Sequence, residues 1–339
     1  MTTGATIEIL DLRHFAAPVL RPVLEAESAI WLDRLHWDYG SSSRLLLQYL
    51  DSRMLPGYAA VEQGQITGYT FCVYEETKAV IGDVFAVPGG DPDASDLSAA
   101  VPVPARALEE TLLRHLLETL LNSPQVDRIE SQLLLHPSGT HAAVFREAGF
   151  RLFHRLFMVQ PLEGKWSRPH LDLPSGLELR TWRDEDLNPA ARLIAESYSN
   201  HPDSLINDQY RSIHGSLRFL HNIVRYAGCG VFSPLTSHVV VERTSRELAA
   251  LVLGSRVSPQ SGHITQICVR PEFRRQGLAR MLLNLAASQF MLQGASEVSL
   301  TVTAANTEAI ELYRAEGYDC NHTFDAAVWR RPDTPEPLS

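Results

Sequence analysis

The alternation of apolar and polar residues in the second half of the chain predicts a regular series of strands and helices. Residues Leu177–Trp182 alternate as a half-buried strand does, and residues Asp186–Ser199 carry apolar side chains at helical spacing. A second helix is predicted at Asp208–Arg225. Three strand-like segments follow, and their short polar connections favour antiparallel pairing. These segments are Ser237–Glu242, Leu248–Ser255 and His263–Val269.

The pattern returns to helical spacing after Gly277. The apolar residues of this segment share one stripe, and Gly294 is a natural end for the helix. They are Leu278, Met281, Leu282, Leu285 and Ala286. A strand at Glu297–Thr303, a helix at Asn306–Gly317 and a last strand at Cys320–Arg330 complete the order β-α-α-β-β-β-α-β-α-β.

The first half of the chain shows signs of the same order. Its segment Val144–Phe150 (VFREAGF) aligns with Leu312–Tyr318 (LYRAEGY) at a constant offset. A predicted strand ending near Val87 corresponds to the strand that ends at Val269. We therefore predict an α+β fold in three layers, made of two tandem copies that are each built around a mostly antiparallel sheet.

Proline and glycine residues mark the boundary between the two copies. They interrupt the periodic pattern at residues 163–176, so we predict a linker there. The linker separates a first domain at residues 1–162 from a second domain at residues 177–332. The proline-rich residues 333–339 are predicted to form a flexible tail.

Composition restricts the possible functions of this 339-residue chain. A hydrophobic fraction of 45% and a charged fraction of 21% are ordinary for a globular protein, and the length favours two domains. A net charge of -10 argues against nucleic acid as a partner over the whole surface. The N-terminal residues lack the pattern of a signal peptide, and no apolar run is long enough to cross a membrane.

Cysteine spacing gives no sign of a metal site. The four cysteines lie far apart and form no CxxC or Cys/His ligand pattern, so we expect neither a disulfide framework nor a bound metal. They are Cys72, Cys229, Cys268 and Cys320. A reducing cytoplasm is the simplest location for such a chain.

The loop before the helix that starts near Gly277 combines three arginines with a bare glycine. The first N–H groups of a helix have no internal partners and lie at the positive end of the helix dipole, so they bind anions such as phosphate. Gly277 lacks a Cβ that could block a pyrophosphate, and Ala279 keeps the next facing position small. The side chains of Arg270, Arg274 and Arg275 can add contacts to phosphate oxygens.

The pattern Arg274-x-x-Gly277-x-Ala279 resembles the acyl-CoA-binding motif of the GCN5-related N-acetyltransferase (GNAT) superfamily. The segment with Asn306 and Tyr313 resembles the second signature of that family, and the element order is also similar. The resemblance covers the second half well and the first half faintly. It implies that acetyl-CoA is the cosubstrate, held by the loop and by the strand before it. The implied contact residues are Ile267, Cys268, Val269, Arg274, Arg275, Gln276, Gly277, Leu278, Ala279, Arg280 and Asn306.

The resemblance also implies an N-acetyltransferase that moves an acetyl group to a primary amine by direct attack in a ternary complex. In this role Tyr313 is the acid that protonates the leaving thiolate. The base that deprotonates the amine is His263 or Glu242, and either can instead be an ordinary strand-end residue. Strand alternation places His263 on the face of Ile267 and Cys268 on the opposite face. This arrangement favours a packed cysteine over an acyl-enzyme.

The segment Ser197–Ser212 joins the first two predicted helices of the second half, and members of the family gather acceptor-binding groups in this region. Its polar residues suit a cationic amine on a small molecule or a peptide, although the same residues can also cap helices. They are His201, Asp203, Asn207, Asp208 and Tyr210.

The first copy lacks both signatures. Phe145 takes the place of Tyr313, and a long acidic, proline-rich loop at residues 88–105 replaces the arginine-glycine loop. We therefore expect a structural or substrate-shaping domain without chemistry of its own. Three alternatives to a general amine acetyltransferase stay open: mycothiol synthase-like chemistry, protein N-acetylation, and a CoA-binding sensor that performs no transfer. The oligomeric state is left open.

Overall fold

The computed structural model describes most of the chain, and the described residues are 7–88, 103–162, 173–199, 201–226 and 229–332. Three predicted segments lie wholly or largely outside them. These are the predicted tail at 333–339, residues 163–172 of the predicted linker, and residues 89–102 of the acidic loop.

The chain divides into two compact units. The N-terminal unit comprises the described residues within Met1–His154 and Thr323–Leu338, and the C-terminal unit comprises those within Arg155–His322. The sequence pattern placed the division at residues 163–176 instead. Periodicity locates where a strand begins and ends, but it does not tell which strand becomes its partner.

The first half of the chain has the element order predicted from the repeat. Its strands are β1 (Ile7–Asp11), β2 (Gly57–Glu62), β3 (Gln65–Glu75), β4 (Lys78–Ala86), β5 (Arg128–Gln132) and β6 (Arg151–Pro161). Its helices are α1 (Ala17–Leu35), α2 (Gly40–Asp51), α3 (Val103–Leu121) and α4 (Ala142–Glu147).

The second half follows the same order, with a short extra helix after the first. Its strands are β7 (Leu177–Thr181), β8 (Val231–Phe232), β9 (His238–Glu242), β10 (Leu248–Arg256), β11 (Ser261–Val269), β12 (Glu297–Thr303) and β13 (Asp319–Arg330). Its helices are α5 (Leu187–Tyr198), α6 (Asp203–Ile206), α7 (Ile213–Arg225), α8 (Leu278–Leu292) and α9 (Thr307–Ala315). The predicted helix at 208–225 begins as a 3-10 turn at Asp208–Arg211, and α7 starts only after Ser212 caps it.

Each unit contains one mixed, mostly antiparallel sheet, which confirms the predicted fold class. The strand order is β1-β2-β3-β4-β5-β13 in the N-terminal unit and β6-β12-β11-β10-β9-β7 in the C-terminal unit. The last strand of the first half, β6, therefore belongs to the C-terminal sheet, and the last strand of the second half, β13, belongs to the N-terminal sheet. Residues Arg155–Pro161 of β6 pair with β12, and residues Ala326–Arg330 of β13 pair with β5.

The sheet of the C-terminal unit separates two hydrophobic cores. On one face, α8 and α9 pack against the sheet through residues such as Leu282, Phe290 and Ile264. On the other face, α5 and α7 pack against residues such as Leu251 and Cys268. None of the helices in the described residues combines the length and apolar character that a membrane span requires.

A β-bulge in β11 overturns the predicted alternation of that strand. Gly254 of β10 pairs with Ile264, but the preceding Leu253 pairs with Gln266, so Thr265 is an extra residue. The extra residue reverses which face the later side chains occupy. Cys268 therefore shares the face of His263, whereas the alternation predicted opposite faces. Ile264, Ile267 and Val269 pack together on the side of α8 and α9.

Candidate active site

The bulge lies where β11 and β12 part. The two strands pair in parallel from Ser261 to Ile264, and the last matched pair is Ile264 with Leu300. Both strands continue beyond that point, β11 to Val269 and β12 to Thr303. Among the described residues, no strand pairs with β11 on this side after Ile264. The parting leaves a slot that is bordered by the free edge of β11.

The backbone of Ile267 lies on this edge and pairs with side chains instead of with a neighbouring strand. Its N–H donates to the side-chain oxygen of Gln266 at 3.0 Å, and its carbonyl accepts from the Tyr198 hydroxyl at 3.3 Å. A neighbouring strand would normally supply both partners. An extended ligand lying in the slot can take these places by pairing with β11 as a strand would.

The loop from Arg274 to Arg280 forms a nest of backbone N–H groups. Arg275 has a φ of 62° and Gly277 a φ of 82°, and Gly277 caps α8 without a side-chain hydrogen bond. The first backbone hydrogen bond of the helix runs from the Met281 N–H to the Gly277 carbonyl. No described residue accepts a hydrogen bond from the amides of residues 275–280. These amides point to an anion site at the start of α8.

Gly277 has a conformational reason to be glycine. A Cβ built at this position would meet no atom within 4 Å, so the protein itself does not crowd it. The φ of 82° lies in the left-handed region that glycine adopts without strain. The open space on this side of the nest is where an anion would lie.

The arginines of the loop have different tasks. Arg270 is an internal ion-pair residue, because it lies 2.7 Å from a Glu247 oxygen and 3.6 Å from a Glu196 oxygen. Arg274 donates from its guanidinium to the carbonyls of Val269 and Ser197, each at 3.2 Å. It thereby joins the end of β11 to the end of α5.

The other two arginines lie closer to the start of α8. Arg280 is ion-paired with Glu316 at 2.5 Å. Arg275 is exposed and has no partner among the described residues. It is therefore the arginine of this loop that is best placed to reach a phosphate.

A polar cluster lies beside the slot and contains Tyr313 of α9. Burial, together with the nearby Asp203 carboxylate, raises the pKa of the Tyr313 phenol. Asp203 accepts a short hydrogen bond from the Thr303 hydroxyl at the end of β12. Its second carboxylate oxygen lies 3.8 Å from Nδ1 of His201. The structure thus brings two of the predicted acceptor residues to the predicted acid.

Asn306 belongs to the same cluster and performs two tasks. Its side-chain oxygen accepts from the Ala309 N–H at 3.3 Å, which caps α9 as the sequence allowed. Its amide nitrogen lies 3.0 Å from Nε2 of His201. The capping interaction therefore also fixes the position of an imidazole in the site.

Two aromatic residues complete the wall, Tyr198 at the end of α5 and Tyr210 in the 3-10 turn before α7. The ring of Tyr198 packs against His201 at 4.8 Å and against Tyr210 at 4.7 Å between ring centroids. The Tyr198 hydroxyl donates to the Gln266 side-chain oxygen at 3.0 Å. The amide nitrogen of Gln266 is buried and has no partner among the described residues.

The remaining predicted site residues lie outside this cluster. Asn207 accepts from the Gln209 N–H at 3.0 Å and caps the 3-10 turn that begins at Asp208. Glu242 ends β9, two strands away from β11, and accepts from the Ser245 hydroxyl at 2.6 Å.

His263 is enclosed rather than open to a substrate. Its Nδ1 lies 2.9 Å from the Ser299 hydroxyl, and its ring stacks on Phe157 at 6.1 Å with an angle of 9° between the planes. Burial lowers the pKa of His263 to about 3. A ring with such a low pKa stays neutral but holds a proton weakly.

Sequence reasoning did not single out four residues of the cluster. Three of them lie within one to three residues of predicted site residues, so their neighbours in sequence pointed to them: Tyr198, Gln266 and Thr303. Arg155 is buried in the C-terminal unit, where it donates to Thr301 at 3.2 Å and lowers the pKa of Tyr313 against the effect of burial. No sequence signal marks it, because it enters the site only through the pairing of β6 with β12.

Known proteins that are similar in sequence to the second half are acetyltransferases. Residues 197–318 match the profile described as "Acetyltransferase (GNAT) family". A 58-residue segment is 45% identical to the N-terminal acetyltransferase B complex catalytic subunit NAA20 of Arabidopsis thaliana. That segment covers 17% of this chain and 33% of the plant protein, so the chain spans about a third of the length of this relative.

Solved structures resemble the chain over nearly its whole length. A GCN5-related N-acetyltransferase from Sphaerobacter thermophilus has a TM-score of 0.62 and 16% identity, with 97% of each chain covered. A tandem GNAT protein from the clavulanic acid biosynthesis pathway has a TM-score of 0.58 and 15% identity, with 97% of this chain and 100% of the other covered. At this level of identity the similarity shows a shared tandem fold.

Proposed function

Because residues 197–318 match the acetyltransferase (GNAT) family, we propose that the chain transfers an acetyl group from acetyl-CoA to a primary amine. The observation that carries this proposal is a continuous path of backbone groups that no neighbouring strand or helix pairs with. The path begins at the nest of amides at residues 275–280, follows the free edge of β11, and ends beside Tyr313. The pyrophosphate, the pantetheine arm and the thioester each have a chemically matched position along it.

Acetyl-CoA binding uses backbone groups more than side chains. The pyrophosphate accepts hydrogen bonds from the amides of residues 275–280, and Arg275 adds charge to that contact. The pantetheine arm pairs with the edge of β11 from the Ile267 carbonyl to Val269 and replaces the contact that Tyr198 now makes with that carbonyl, which leaves the Ile267 N–H for the thioester oxygen. Glycine at 277 keeps the approach to the first amides open.

The transfer needs a proton acceptor, a stabilised oxyanion and a proton donor. The amine attacks the thioester carbonyl, a carbon–nitrogen bond forms, and the Ile267 N–H stabilises the developing negative charge on oxygen. The carbon–sulfur bond then breaks, and Tyr313 gives its proton to the leaving thiolate. A raised pKa keeps the phenol of Tyr313 protonated at neutral pH until that step.

Direct attack in a ternary complex fits the state of Cys268. The thiol is buried, and burial raises the pKa of Cys268 to about 12. A thiol with this pKa is almost entirely protonated near pH 7 and is a poor nucleophile. This supports transfer without an acyl-enzyme.

We assign the proton acceptor to His201 rather than to His263 or Glu242. His201 lies in the same cluster as Tyr313 and Asp203, whereas His263 is enclosed and Glu242 belongs to a turn at the end of β9. Burial lowers the pKa of His201, so its ring is neutral and able to take a proton near pH 7. The Asp203 carboxylate at 3.8 Å stabilises the imidazolium that results.

The acceptor site favours a cationic amine beside an apolar group. Asp203 supplies negative charge, and the rings of Tyr198 and Tyr210 supply flat apolar surface next to it. Small-molecule amines and peptide amines both meet this description. The local similarity to NAA20 favours the N-terminus of a peptide as the second candidate acceptor.

The proposal is tested by binding and by release of free CoA. Calorimetry with acetyl-CoA measures binding, and a thiol-reactive dye measures transfer over a panel of peptides, amino sugars, polyamines and amino acids. We expect binding and transfer to at least one class of amine. Absence of acetyl-CoA binding would refute the proposal, and binding without transfer to any amine would favour a CoA-binding sensor.

A further inference from the structure

The N-terminal unit contains the counterpart of the slot, but protein side chains fill it. Strands β4 and β5 pair in parallel only from Lys78 to Ile81, although β4 continues to Ala86. His136 follows β5 and occupies the gap, with its Nε2 2.7 Å from the Val84 carbonyl. In the first copy, the free edge of β4 therefore faces an imidazole.

Two further side chains meet His136 at this place. Glu109 comes from α3, and His141 is the residue before α4. The Glu109 Oε2 atom lies 3.4 Å from Nε2 of His141 and 3.8 Å from Nδ1 of His136. All three ligand atoms lie within 4.8 Å of one another.

The three atoms are buried, and none has a hydrogen-bond partner among the described residues. The residues are 1%, 4% and 5% exposed for Glu109, His136 and His141, and their converging oxygen and nitrogen atoms are all unsatisfied. A buried polar atom without a partner costs free energy, so three at one point indicate a shared missing partner. The Glu109 oxygen lies within ion-pair distance of both rings, but no hydrogen bond joins any two of the three atoms.

Their spacing suits a metal ion. Ligands bound at about 2.0–2.1 Å in tetrahedral geometry lie about 3.4 Å apart, which is close to the two distances from Glu109. Two imidazoles and one carboxylate are a ligand set that zinc prefers, and they leave a fourth position for water. A small pocket beside the cluster, lined by His136, His141, Thr140 and Phe145, gives room for that water.

The surrounding contacts orient the ligands as a metal site requires. The Val84 carbonyl accepts from Nε2–H of His136, which leaves the lone pair on Nδ1 directed at the cluster. The Ala86 N–H donates to the Glu109 Oε1 atom at 3.1 Å, which leaves Oε2 free to bind. Both contacts come from the free edge of β4.

We propose that the N-terminal unit binds one divalent transition-metal ion, best matched by zinc, through Glu109 Oε2, His136 Nδ1 and His141 Nε2. The ion occupies the slot of the copy that lacks the acyl-CoA motif. Binding there joins α3, the end of β5 and the start of α4, so the metal stabilises the N-terminal unit. The site is independent of the proposed acetyl transfer.

The test uses the full chain, stripped with a chelator and then titrated with cobalt(II). Cobalt in a four-coordinate nitrogen and oxygen site gives strong visible absorption, so the spectrum reports geometry as well as binding. We expect one equivalent of cobalt, displaced by one equivalent of zinc in metal analysis. Absence of the visible band, together with less than about 0.1 equivalent of retained zinc, would overturn the proposal.

Variants identify the ligands. Glu109→Gln and His141→Gln should each weaken zinc affinity by about 100-fold or more, since each removes a direct ligand. The control is His154→Gln, because His154 belongs to the same unit but is half exposed and contacts Ser138 instead. Unchanged affinity in both ligand variants would place the ion elsewhere and reject the site.

A measurement on the unaltered chain covers the case in which a variant fails to fold. Nitrogen-15 spectra of the histidine side chains, recorded with and without zinc, should show large shifts for two rings. His136 should change at Nδ1 and His141 at Nε2. Shifts confined to other histidines would contradict the assignment.

Discussion

At the scale of single residues, Tyr313 is the side chain on which the proposed chemistry depends most. Its buried hydroxyl is the proposed proton donor, and its ring centroid lies 5.9 Å from that of Tyr318. The two tyrosines differ in their charged neighbours, because Asp203 and Arg155 act on the pKa of Tyr313, whereas Glu316 acts on that of Tyr318. The Tyr318 hydroxyl is buried without a partner among the described residues, and no substrate contact is assigned to it.

We predict that Tyr313→Phe lowers kcat by about 100-fold and leaves acetyl-CoA affinity within about twofold. General acid catalysis contributes about 10² to 10⁴ in rate, whereas the phenol adds little to binding of the cosubstrate. Steady-state kinetics and calorimetry measure the two effects. The control Tyr318→Phe should keep both values, and a loss of binding equal to the loss of rate would contradict the role of Tyr313 as acid.

His263 makes the stability of the C-terminal unit depend on pH. An unfolded histidine has a pKa of about 6.5, and burial lowers the pKa of His263 to about 3 in the native state. Between these values the unfolded chain binds a proton that the native state does not bind. The free energy of unfolding therefore falls as pH falls through this window, by about 1.4 kcal/mol per pH unit from this residue.

We predict that His263→Gln removes this contribution and leaves stability less dependent on pH between 6.5 and 4. Urea unfolding followed through NMR signals of β12 amides measures the slope in each protein. The control is His214→Gln, since His214 is exposed on α7. Equal slopes in the His263 variant and the unaltered chain would show that burial of this ring does not control the acid sensitivity.

At the scale of elements, the start and the end of α8 provide a matched pair of glycines. Gly277 and Gly294 have φ values of 82° and 88°, and a Cβ at either would meet nothing within 4 Å. Replacing either glycine by another residue should therefore cause a similar backbone strain. Only Gly277 lies at the amide nest.

We predict that Gly277→Val weakens acetyl-CoA binding by about tenfold or more, whereas Gly294→Val does not change it. Both substitutions should lower stability by about 1 kcal/mol, because a branched residue is strained at positive φ. Calorimetry and thermal unfolding separate the two effects. A similar loss of affinity in both variants would place the pyrophosphate away from the nest.

The elements themselves were largely predictable, but the local geometry at the site was not. Helical and strand periodicity located α5, α8 and the strands around them, and the Arg274–Ala279 pattern located the nest. The sequence of His263–Val269 is compatible with a regular strand, so it does not predict the bulge at Thr265. The bulge depends on its pairing with β10, which a single strand does not encode.

The buried Glu109, His136 and His141 cluster was also beyond sequence reasoning. The histidines lie in a loop without a recognised ligand spacing, and the carboxylate comes from a distant helix. Only the packing of α3 against β4 brings them together. The same limit applies to Arg155, which lies before the predicted linker but belongs to the C-terminal unit.

At the scale of the whole molecule, two copies of one fold have diverged in what fills the slot. The C-terminal copy keeps the nest, the free strand edge and Tyr313, while the first copy has Phe145 and the histidine cluster. Each sheet also takes its last strand from the other half of the chain. The two copies therefore carry different residues in the slot, but each sheet is built from segments of both halves of the chain.

We predict that a chain ending at His322 unfolds the N-terminal unit more than the C-terminal unit. The truncation removes the residues of β13 that pair with β5, and unpaired strand edges lose amide protection. Hydrogen exchange should show loss of protection at Ile129 and Ser131. Amides of β12, which pair with β6, serve as the internal control and should keep theirs, and equal loss in both strands would contradict the prediction.

The late position of β13 along the chain has a consequence for biosynthesis. Ribosomes add about 5 to 20 residues per second, so roughly 10 to 40 s separate the emergence of β5 from that of its partner. During this interval the nascent N-terminal half exposes an uncovered strand edge and cannot reach its native state. The N-terminal sheet is therefore completed last, after β13 has been synthesised. Chaperones that shield nascent chains have this interval in which to act.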